Sequence, residues 1–476
     1  MQHQAGSARL CVKLDFPVSM RLKLTSKRIF IDATYTICSG RSSGIERVVR
    51  NLISQCKMRA DSGELVEPSM VVNHGGKFFE LDQNYLELFQ QSAQVQSNVL
   101  KHTPDWYRPA AEGICKVLQA RRFRKWLLPQ PGHLGLFKLL HTAQESSVFR
   151  KMARKCEPIE AGPGDLFLLP DAYWVTRLRN SVWPAAQRAR NNGAFVASII
   201  YDLIPLSHPQ FVGSRRRKAF HDYLVKAIQS SDLLLTISNT VLSQLEEFVA
   251  TDPAVANLDR PTMKSFQLGA ELATVEGNVR QPLVDLFGKS KPPYLMVATF
   301  DPRKNHQYLL DAFDQLWQRG KQLDICLVGR IGSRCDDITQ RILTHPLFGK
   351  NLFLFDDLSD AELQHCYRNS RGVVFPSIVE GFGLPIVESL WFGKKTFVSD
   401  TPIHREVGGN DCSYFPLDRP KVLADQIVQW ERSIGDGKPS MNQRHPVTWS
   451  ESCNQLLAQC AALLQDADSV RTAHAA

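Results

Sequence analysis

Pro376-Ser-Ile-Val-Glu-Gly-Phe-Gly-Leu-Pro-Ile-Val-Glu388 is the most informative segment of this 476-residue chain. It follows the run Gly372-Val-Val-Phe-Pro376, whose apolar, β-rich composition is typical of a buried strand. Within the segment, Pro385 suits the first position of a helix, where its missing N–H costs nothing. The sequence therefore predicts a strand, a glycine turn and the start of a helix in direct succession.

Backbone N–H groups and two carboxylates come together in this segment. Gly381 and Gly383 allow the backbone to approach a ligand closely, and the free N–H groups at the helix start form an anion site that suits phosphate. Glu380 and Glu388 would repel phosphate, so we expect them to accept hydrogen bonds from hydroxyl groups. A nucleotide sugar carries both phosphates and hydroxyls. The alternative is an ordinary turn flanked by two solvated surface charges.

The part Glu380-Gly-Phe-Gly-Leu-Pro-Ile-Val-Glu388 resembles the Glu-x7-Glu signature of retaining glycosyltransferases with the GT-B fold, of the family 4 or glycosyl transferases group 1 type. Four other segments resemble parts of the same nucleotide-binding domain and follow one another in the expected order. They are residues 297–306, 325–329, 351–359 and 399–407. The resemblance extends from about residue 293 to residue 416, which is roughly the size of one domain.

The resemblance implies an α/β protein of the GT-B fold, in which two doubly wound, Rossmann-like parallel-sheet domains face a central cleft. Alternating strand and helix patterns in the first half agree with it, because such alternation is typical of a parallel sheet covered by helices. We expect a leader over residues 1–27, an N-terminal acceptor-side domain over 28–285, a nucleotide-sugar domain over 290–425, and C-terminal helices over 426–470, the last crossing back to the N-terminal domain. A helical insertion is predicted at about residues 80–160, and residues 257–293 are predicted to connect the halves.

The resemblance assigns the donor site to residues from both halves of the chain. Lys304, with Arg303 beside it, would neutralise the leaving diphosphate, helped by backbone N–H groups of the glycine turn. Glu388 would accept from the ribose hydroxyls and Glu380 from the sugar hydroxyls. Gly44, in a loop of the first half, would face the same diphosphate across the cleft. The complete predicted donor-binding set is Gly44, Arg303, Lys304, Glu380, Gly381, Phe382, Gly383, Leu384 and Glu388.

Asp202, Tyr201 and Glu380 form the predicted catalytic set. The first two follow a predicted strand, at the edge of the sheet where catalytic groups gather. Related enzymes often carry His-Asp-Leu at this place, and that His contacts the donor sugar, whereas this chain has Tyr201-Asp-Leu203. Asp202 would receive the acceptor proton or orient the acceptor. Tyr201 would hydrogen-bond a sugar or pack in the core.

Neither a metal ion nor a cofactor is expected beyond the nucleotide-diphosphate sugar, which is a co-substrate. The pairs Asp336-Asp337 and Asp356-Asp357 are adjacent, whereas Asp-x-Asp presents two carboxylates to a divalent ion. The eleven cysteines include no Cys-x-x-Cys pair, which indicates reduced thiols in the cytosol. The sequence has no window of about eighteen apolar residues and no N-terminal signal pattern, so we expect a cytoplasmic protein.

Positive charge is concentrated in one part of the predicted insertion. The net charge is +9, and residues 101–155 hold twelve Lys and Arg against three acidic residues. The aromatic and leucine neighbours of these cations suit peripheral contact with an anionic membrane surface. The first alternative is a solvated helical insertion whose apolar face covers its own domain. Nucleic acid ranks last, because no nucleic-acid-binding module surrounds the cluster.

The finer resemblance is to bacterial enzymes that add mannose, rhamnose or a similar hexose to a surface polysaccharide precursor, as in lipopolysaccharide biosynthesis. It rests on Tyr201-Asp-Leu-Ile-Pro205 and Pro302-Arg-Lys-Asn-His306. It implies retaining transfer, with GDP-mannose as the first choice of donor and a polysaccharide or polyprenyl-diphosphate-linked acceptor at the inner face of the cytoplasmic membrane. The alternatives are an epimerase, hydrolase or phosphorylase of the same fold, and a non-catalytic membrane-associated scaffold.

Overall fold

The computed structural model describes residues 26–39, 44–81, 152–175, 180–272, 277–332, 334–435 and 446–475. The predicted leader over residues 1–27 and the basic segment over residues 101–155 lie almost wholly outside these ranges, as does most of the predicted insertion. Within the described ranges, no helix is both long enough and apolar enough to span a bilayer.

The first half of the chain forms a seven-stranded sheet with the spatial order β3-β2-β1-β4-β5-β6-β7. Its strands are β1 (Arg28–Asp32), β2 (Pro68–His74), β3 (Lys77–Glu80), β4 (Asp165–Leu169), β5 (Phe195–Ile200), β6 (Leu233–Thr236) and β7 (Thr262–Ser265). Neighbouring strands run parallel except for β2 and β3, which form a hairpin. The strand order reverses between β1 and β4, and such a reversal opens a ligand crevice at the carboxyl edge of a sheet.

Helices cover both faces of this sheet. They are α1 (Thr34–Ser39), α2 (Ile45–Asp61), α3 (Val182–Asn191), α4 (Ile204–Ser207), α5 (Ser214–Ser230) and α6 (Asn239–Thr251). The strand β1 shows how the faces are shared, because Ile29 and Ile31 pack in one hydrophobic cluster and Phe30 packs in another. Successive side chains of a strand point to opposite faces, so a strand covered on both sides is apolar at nearly every position.

The second half forms a six-stranded sheet with the order β10-β9-β8-β11-β12-β13, and all its neighbouring strands are parallel. The strands are β8 (Tyr294–Val297), β9 (Ile325–Val328), β10 (Leu352–Phe355), β11 (Gly372–Phe375), β12 (Thr396–Ser399) and β13 (Cys412–Phe415). The helices are α7 (Gln281–Phe287), α8 (His306–Gln318), α9 (Asp336–Leu343), α10 (Asp360–Asn369), α11 (Leu384–Trp391), α12 (Pro402–Gly408) and α13 (Pro420–Gly435). The order reverses between β8 and β11, which places a second ligand crevice beside the glycine turn.

The last helix, α14 (Trp449–Ala475), packs on the first domain although it follows the second sheet in the chain. Leu456 and Cys460 of this helix are fully buried in the same hydrophobic cluster as Val49 of α2. In the same contact, the sulfur atoms of Cys56 and Cys453 lie 3.7 Å apart. The end of the chain therefore completes the core of the first domain.

The predicted fold class is confirmed, since the chain forms two Rossmann-like parallel-sheet domains with helices on their faces. The prediction that residues 257–293 only connect the halves is incomplete, because this segment contains β7 and α7. β7 is an edge strand whose residues are partly or fully exposed to solvent. It therefore lacks the apolar run by which central strands are recognised in a sequence.

Candidate active site

The carboxyl edges of the two sheets meet at the glycine turn between β11 and α11. The carbonyl oxygen of Gly381 in this turn accepts a hydrogen bond of 2.9 Å from the Ser238 hydroxyl, just after β6. The Tyr201 carbonyl, just after β5, also packs on Gly381. Because parallel strands present their carboxyl ends at one edge, predicted site residues from both halves are brought to a single boundary between the domains.

The glycine turn leads directly into α11. Gly383 adopts the left-handed conformation, with a φ of 102°, and stands immediately before the first helical residue, Leu384. The first N–H groups of the helix have no intrahelical acceptor, so they are available to an anion. The Phe382 side chain is buried in the hydrophobic cluster of the first domain, so it packs in the core of that domain.

Glu380 is a buried carboxylate held by two cations. Its Oε2 atom accepts a hydrogen bond of 2.7 Å from Arg303, and its Oε1 atom accepts one of 2.5 Å from Lys304. Burial raises the pKa of Glu380, but the two cations outweigh this effect and lower the pKa to about 2. Glu380 is therefore ionised, and it neutralises part of the positive charge of the two cations that we predict to bind the diphosphate.

Arg303 and Lys304 are positioned by a 3₁₀ turn that follows β8. The Asp301 side chain caps this turn and accepts a hydrogen bond of 3.0 Å from the Arg303 backbone N–H. The Lys304 ammonium lies 5.1 Å from the centre of the Phe375 ring, within the range of a cation–π contact. Burial and Arg303 lower the pKa of Lys304, and Glu380 offsets part of that shift. The two cations are thus fixed beside the glycine turn.

Glu388 lies on α11 and is also buried, with 3% of its surface exposed. Its Oε2 atom accepts a hydrogen bond of 2.7 Å from the Tyr367 hydroxyl. Its Oε1 atom is paired with Arg47 of α2, so this ion pair joins the two domains. Gly44, with a φ of 62°, stands at the start of α2 just before Arg47. Protein groups thus hold both oxygen atoms of the carboxylate that we predict for the ribose.

Asp202 lies across the boundary from the cation cluster. It is partly buried, and its Oδ1 atom accepts a hydrogen bond of 3.0 Å from the Ile204 N–H. Burial raises the pKa of Asp202, Arg303 opposes the shift, and Glu380 adds to it. A Cβ added at Gly381, the neighbour of Glu380, would lie 3.0 Å from the Asp202 side chain, so the structure places Asp202 beside the glycine turn.

The Tyr201 side chain is directed into the first domain. Its hydroxyl donates a hydrogen bond of 2.6 Å to the Pro170 carbonyl oxygen, and the residue belongs to the hydrophobic core. Burial is the largest cause that raises the pKa of Tyr201 well above its usual value. This geometry favours the packing alternative for Tyr201 over direct contact with a sugar.

His404 is a buried polar group near the site that sequence patterns do not single out. Its Nδ1 atom lies 3.0 Å from the Ser399 carbonyl oxygen, which can only accept, so we assign the proton to Nδ1. Its Nε2 atom and the Ser377 hydroxyl have no hydrogen-bond partner among the described residues. The His404 ring contacts the ring of Phe375, and the Lys304 ammonium lies over the same Phe375 ring. Its place beside the cluster arises from tertiary packing, which a single His in a sequence does not reveal.

In the described part of the chain, no group of three or more His, Cys, Asp or Glu side chains is arranged to hold a metal ion. Of the adjacent acidic pairs, Asp356 and Asp357 are exposed, and Asp357 forms an ion pair of 2.9 Å with Arg280. Metal-independent chemistry stays a prediction.

The family comparison concerns the second half of the chain. Residues 284–434 match the family described as Glycosyl transferases group 1, which confirms the resemblance found in the sequence. The chain is 28% identical over 303 residues to the serotype-specific mannosyltransferase WbdA of Escherichia coli, a match that covers 61% of this chain and 37% of WbdA. It is 26% identical over 236 residues to the O-antigen chain mannosyltransferase RfbU of Salmonella typhimurium, covering 49% of this chain and 60% of RfbU. The chain therefore spans little more than a third of the length of WbdA.

Solved structures with a similar arrangement include two proteins of low sequence identity. One is a sucrose-phosphate synthase from Thermosynechococcus elongatus, with a TM-score of 0.49, 14% identity, and coverage of 94% of this chain and 99% of that chain. The other is Anabaena HepE in complex with UDP and glucose, with a TM-score of 0.49, 12% identity, and coverage of 94% and 99%.

Proposed function

We propose, from the premise that the chain carries a Glycosyl transferases group 1 domain over residues 284–434, that the protein is a retaining glycosyltransferase. In this proposal it moves a hexose from a nucleotide-diphosphate sugar to an acceptor and needs no metal ion. The observation that carries the proposal is the cluster of Arg303, Lys304 and Glu380 beside the glycine turn. Such a cluster combines cations for a diphosphate with a carboxylate for sugar hydroxyls.

The leaving diphosphate would bind between the cation cluster and the start of α11. Arg303 and Lys304 both form ion pairs with Glu380, so their positive charges are partly compensated before the donor binds. A diphosphate carries more negative charge than one carboxylate, so it draws the two cations toward itself. Glu380 then becomes free to accept hydrogen bonds from the hydroxyls of the transferred sugar.

The acceptor would enter from the first domain, where Asp202 supplies a carboxylate. Asp202 stands just after β5, and its side chain lies close to Gly381, the neighbour of Glu380, across the domain boundary. A carboxylate in this position holds the acceptor hydroxyl and takes part in removing its proton. Closure of the domains around the donor would exclude water and suppress hydrolysis.

Our proposal for the donor and the acceptor is based on the names of the relatives. WbdA is described as a serotype-specific mannosyltransferase and RfbU as an O-antigen chain mannosyltransferase. We therefore propose mannose as the transferred sugar, with GDP-mannose as the first donor to test and rhamnose as the second sugar. The proposed acceptor is a surface polysaccharide precursor, free or carried on a polyprenyl diphosphate at the cytoplasmic face of the membrane. Membrane contact through residues 101–155 remains part of this proposal and concerns a segment that lies almost wholly outside the described residues.

A thermal-shift screen against GDP-, UDP-, dTDP- and ADP-sugars tests the proposal, because a ligand that binds the folded state raises its stability by mass action. We expect GDP-mannose to raise the melting temperature most. A saturating ligand at about 100 times its Kd would add about 2.7 kcal/mol. If no nucleotide sugar shifts the melting of properly folded protein, the proposed function is overturned.

A further inference from the structure

The ion pair between Arg47 and Glu388 joins the two domains at the predicted ribose site. Arg47 lies on α2 of the first domain, and Glu388 lies on α11 of the second. Arg303 and Lys304, the other cations of the site, both come from the second domain. Arg47 is therefore a charged group that the first domain contributes to the donor side of the boundary.

The Arg47 guanidinium has more hydrogen-bonding capacity than this ion pair uses. A guanidinium carries five N–H donors, and among the described residues its one hydrogen bond goes from Nη1 to Glu388. The side chain keeps 19% of its surface exposed, whereas that of Glu388 keeps 4%. At Gly44, just before the start of α2, an added Cβ would meet no atom of the described residues within 4 Å. The exposed part of the Arg47 side chain therefore leaves the remaining donors accessible to a ligand in the cleft.

The pairing also has a consequence for Glu388. Its Oε2 atom accepts from Tyr367 and its Oε1 atom accepts from Arg47. Only 4% of the side chain is exposed, so a ribose hydroxyl reaches this carboxylate only when one of the two partners moves. Ribose hydroxyls are neutral donors, and they cannot displace a guanidinium from a buried carboxylate unless the cation gains another anion. The diphosphate of the same donor molecule is such an anion.

We propose that Arg47 is a donor-binding residue that changes partner, from Glu388 before the donor binds to the diphosphate once it is bound. The exchange releases Oε1 of Glu388 to the ribose hydroxyls and keeps both charges compensated. It rests on the proposed function, because it requires a nucleotide diphosphate in the cleft. It makes binding depend on the ribose and the diphosphate together, since a nucleoside alone must break the ion pair without replacing it.

The exchange predicts opposite effects on two ligands when Arg47 is removed. In Arg47→Ala, GDP loses a charge-assisted contact, and its affinity is expected to fall about 10-fold or more. Guanosine no longer competes with Arg47 for Glu388, so its affinity is expected to stay unchanged or to rise. A residue that only stabilises the cleft would weaken both ligands alike.

Calorimetric titration of the full chain with GDP and with guanosine tests the partner exchange of Arg47. If the wild-type protein prefers UDP, then UDP and uridine are used instead. The matched control is Arg50→Ala, which removes an exposed arginine from the same helix. Arg47→Lys provides a second variant if the alanine variant fails to fold, because it keeps a cation for Glu388 and loses the planar fork. Equal losses for both ligands, or no loss for GDP, overturn the exchange while the proposed function stands. Wild type that binds neither nucleotide overturns both.

Discussion

Gly381 lies so close to Tyr201 that a Cβ at position 381 would come within 2.1 Å of the Tyr201 carbonyl oxygen. The same Cβ would be 3.0 Å from the side chain of Asp202. Both distances cross from the second domain to the first, next to Glu380 and its two cations. The absence of a side chain at Gly381 is therefore what lets the domains approach at the candidate active site.

Gly381→Ala is expected to reduce both donor affinity and turnover by about 10-fold or more, because a contact with backbone atoms cannot be relieved by a side-chain rotation. Calorimetric titration with the donor and a transfer assay measure the two effects. Gly213→Ala is the matched control, since its Cβ would meet no atom within 4 Å in the described part of the chain and its φ of −74° suits alanine. A Gly381→Ala variant with full affinity and turnover would show that the domains do not need this approach.

Asp202→Asn is expected to lower turnover more than donor affinity. The substitution preserves the shape and the hydrogen bond from Ile204, but it removes the charge that would hold the acceptor hydroxyl. Steady-state kinetics and donor titration separate the two quantities. Asp222→Asn, at an exposed position of α5, is the control. Unchanged turnover in a folded Asp202→Asn variant would remove Asp202 from the mechanism.

Local sequence patterns sufficed for the unit of β11, glycine turn and α11. The strand is a continuous apolar run, and Gly383 and Pro385 mark the turn and the first helical residues. These signals act over a few residues, so a single sequence contains them. The strand β7 was not predicted from the sequence, because an edge strand with mixed polarity carries no such pattern.

The pairings within the site could not be predicted in the same way. Arg47 and Glu388 are 341 positions apart, and Arg303 and Glu380 are 77 apart. The sequence identifies these residues as charged and places them near predicted turns. It does not show which of these residues form ion pairs with one another, because the pairing depends on the tertiary structure. The inward direction of the Tyr201 hydroxyl likewise follows from the position of Pro170 on a neighbouring part of the fold.

The buried ion pairs of Glu380 predict an acid-dependent loss of stability. The folded-state pKa is about 2, below the ordinary value of 4.5, so this group stabilises the fold above about pH 4.5. That contribution, on the order of 3 kcal/mol, is lost as the pH falls from about 4.5 toward 2. In Glu380→Gln, the free energy of unfolding is expected to be lower at neutral pH and to change less over this range.

Chemical unfolding at a series of pH values measures this dependence. The control is Glu247→Gln, at an exposed position of α6, which should keep the wild-type profile. If Glu380→Gln followed the wild-type curve down to acidic pH, the carboxylate would not be held by Arg303 and Lys304 in solution.

The packing of α14 on the first domain predicts a large effect of truncating Leu456. This side chain is fully buried in the cluster that includes α2. Leu456→Ala is expected to lower the free energy of unfolding by about 2–5 kcal/mol, because it removes apolar contacts and leaves a cavity. Denaturant titration measures the change, with the exposed Asn454→Ala on the same helix as the control. A loss below about 0.5 kcal/mol would mean that α14 does not pack there in solution.

Activity is expected to survive the removal of divalent metal ions, because Arg303 and Lys304 provide the positive charge that a metal would otherwise bring to the diphosphate. Turnover after dialysis against a chelator should stay within about twofold of the untreated value. Loss of a group that stabilises the charge of the transition state would lower turnover by about 100-fold or more.

Lys304→Met tests the other half of this argument. It removes one of the two cations and should lower turnover by about 100-fold or more. Because the described residues offer no group of side chains arranged to hold a metal ion, added manganese should not restore the activity. Lys350→Met, at an exposed position, is expected to leave turnover unchanged. Activity that disappears in the chelator and returns with manganese would instead assign the charge neutralisation to a metal ion, and Arg303 and Lys304 would then serve mainly to hold Glu380.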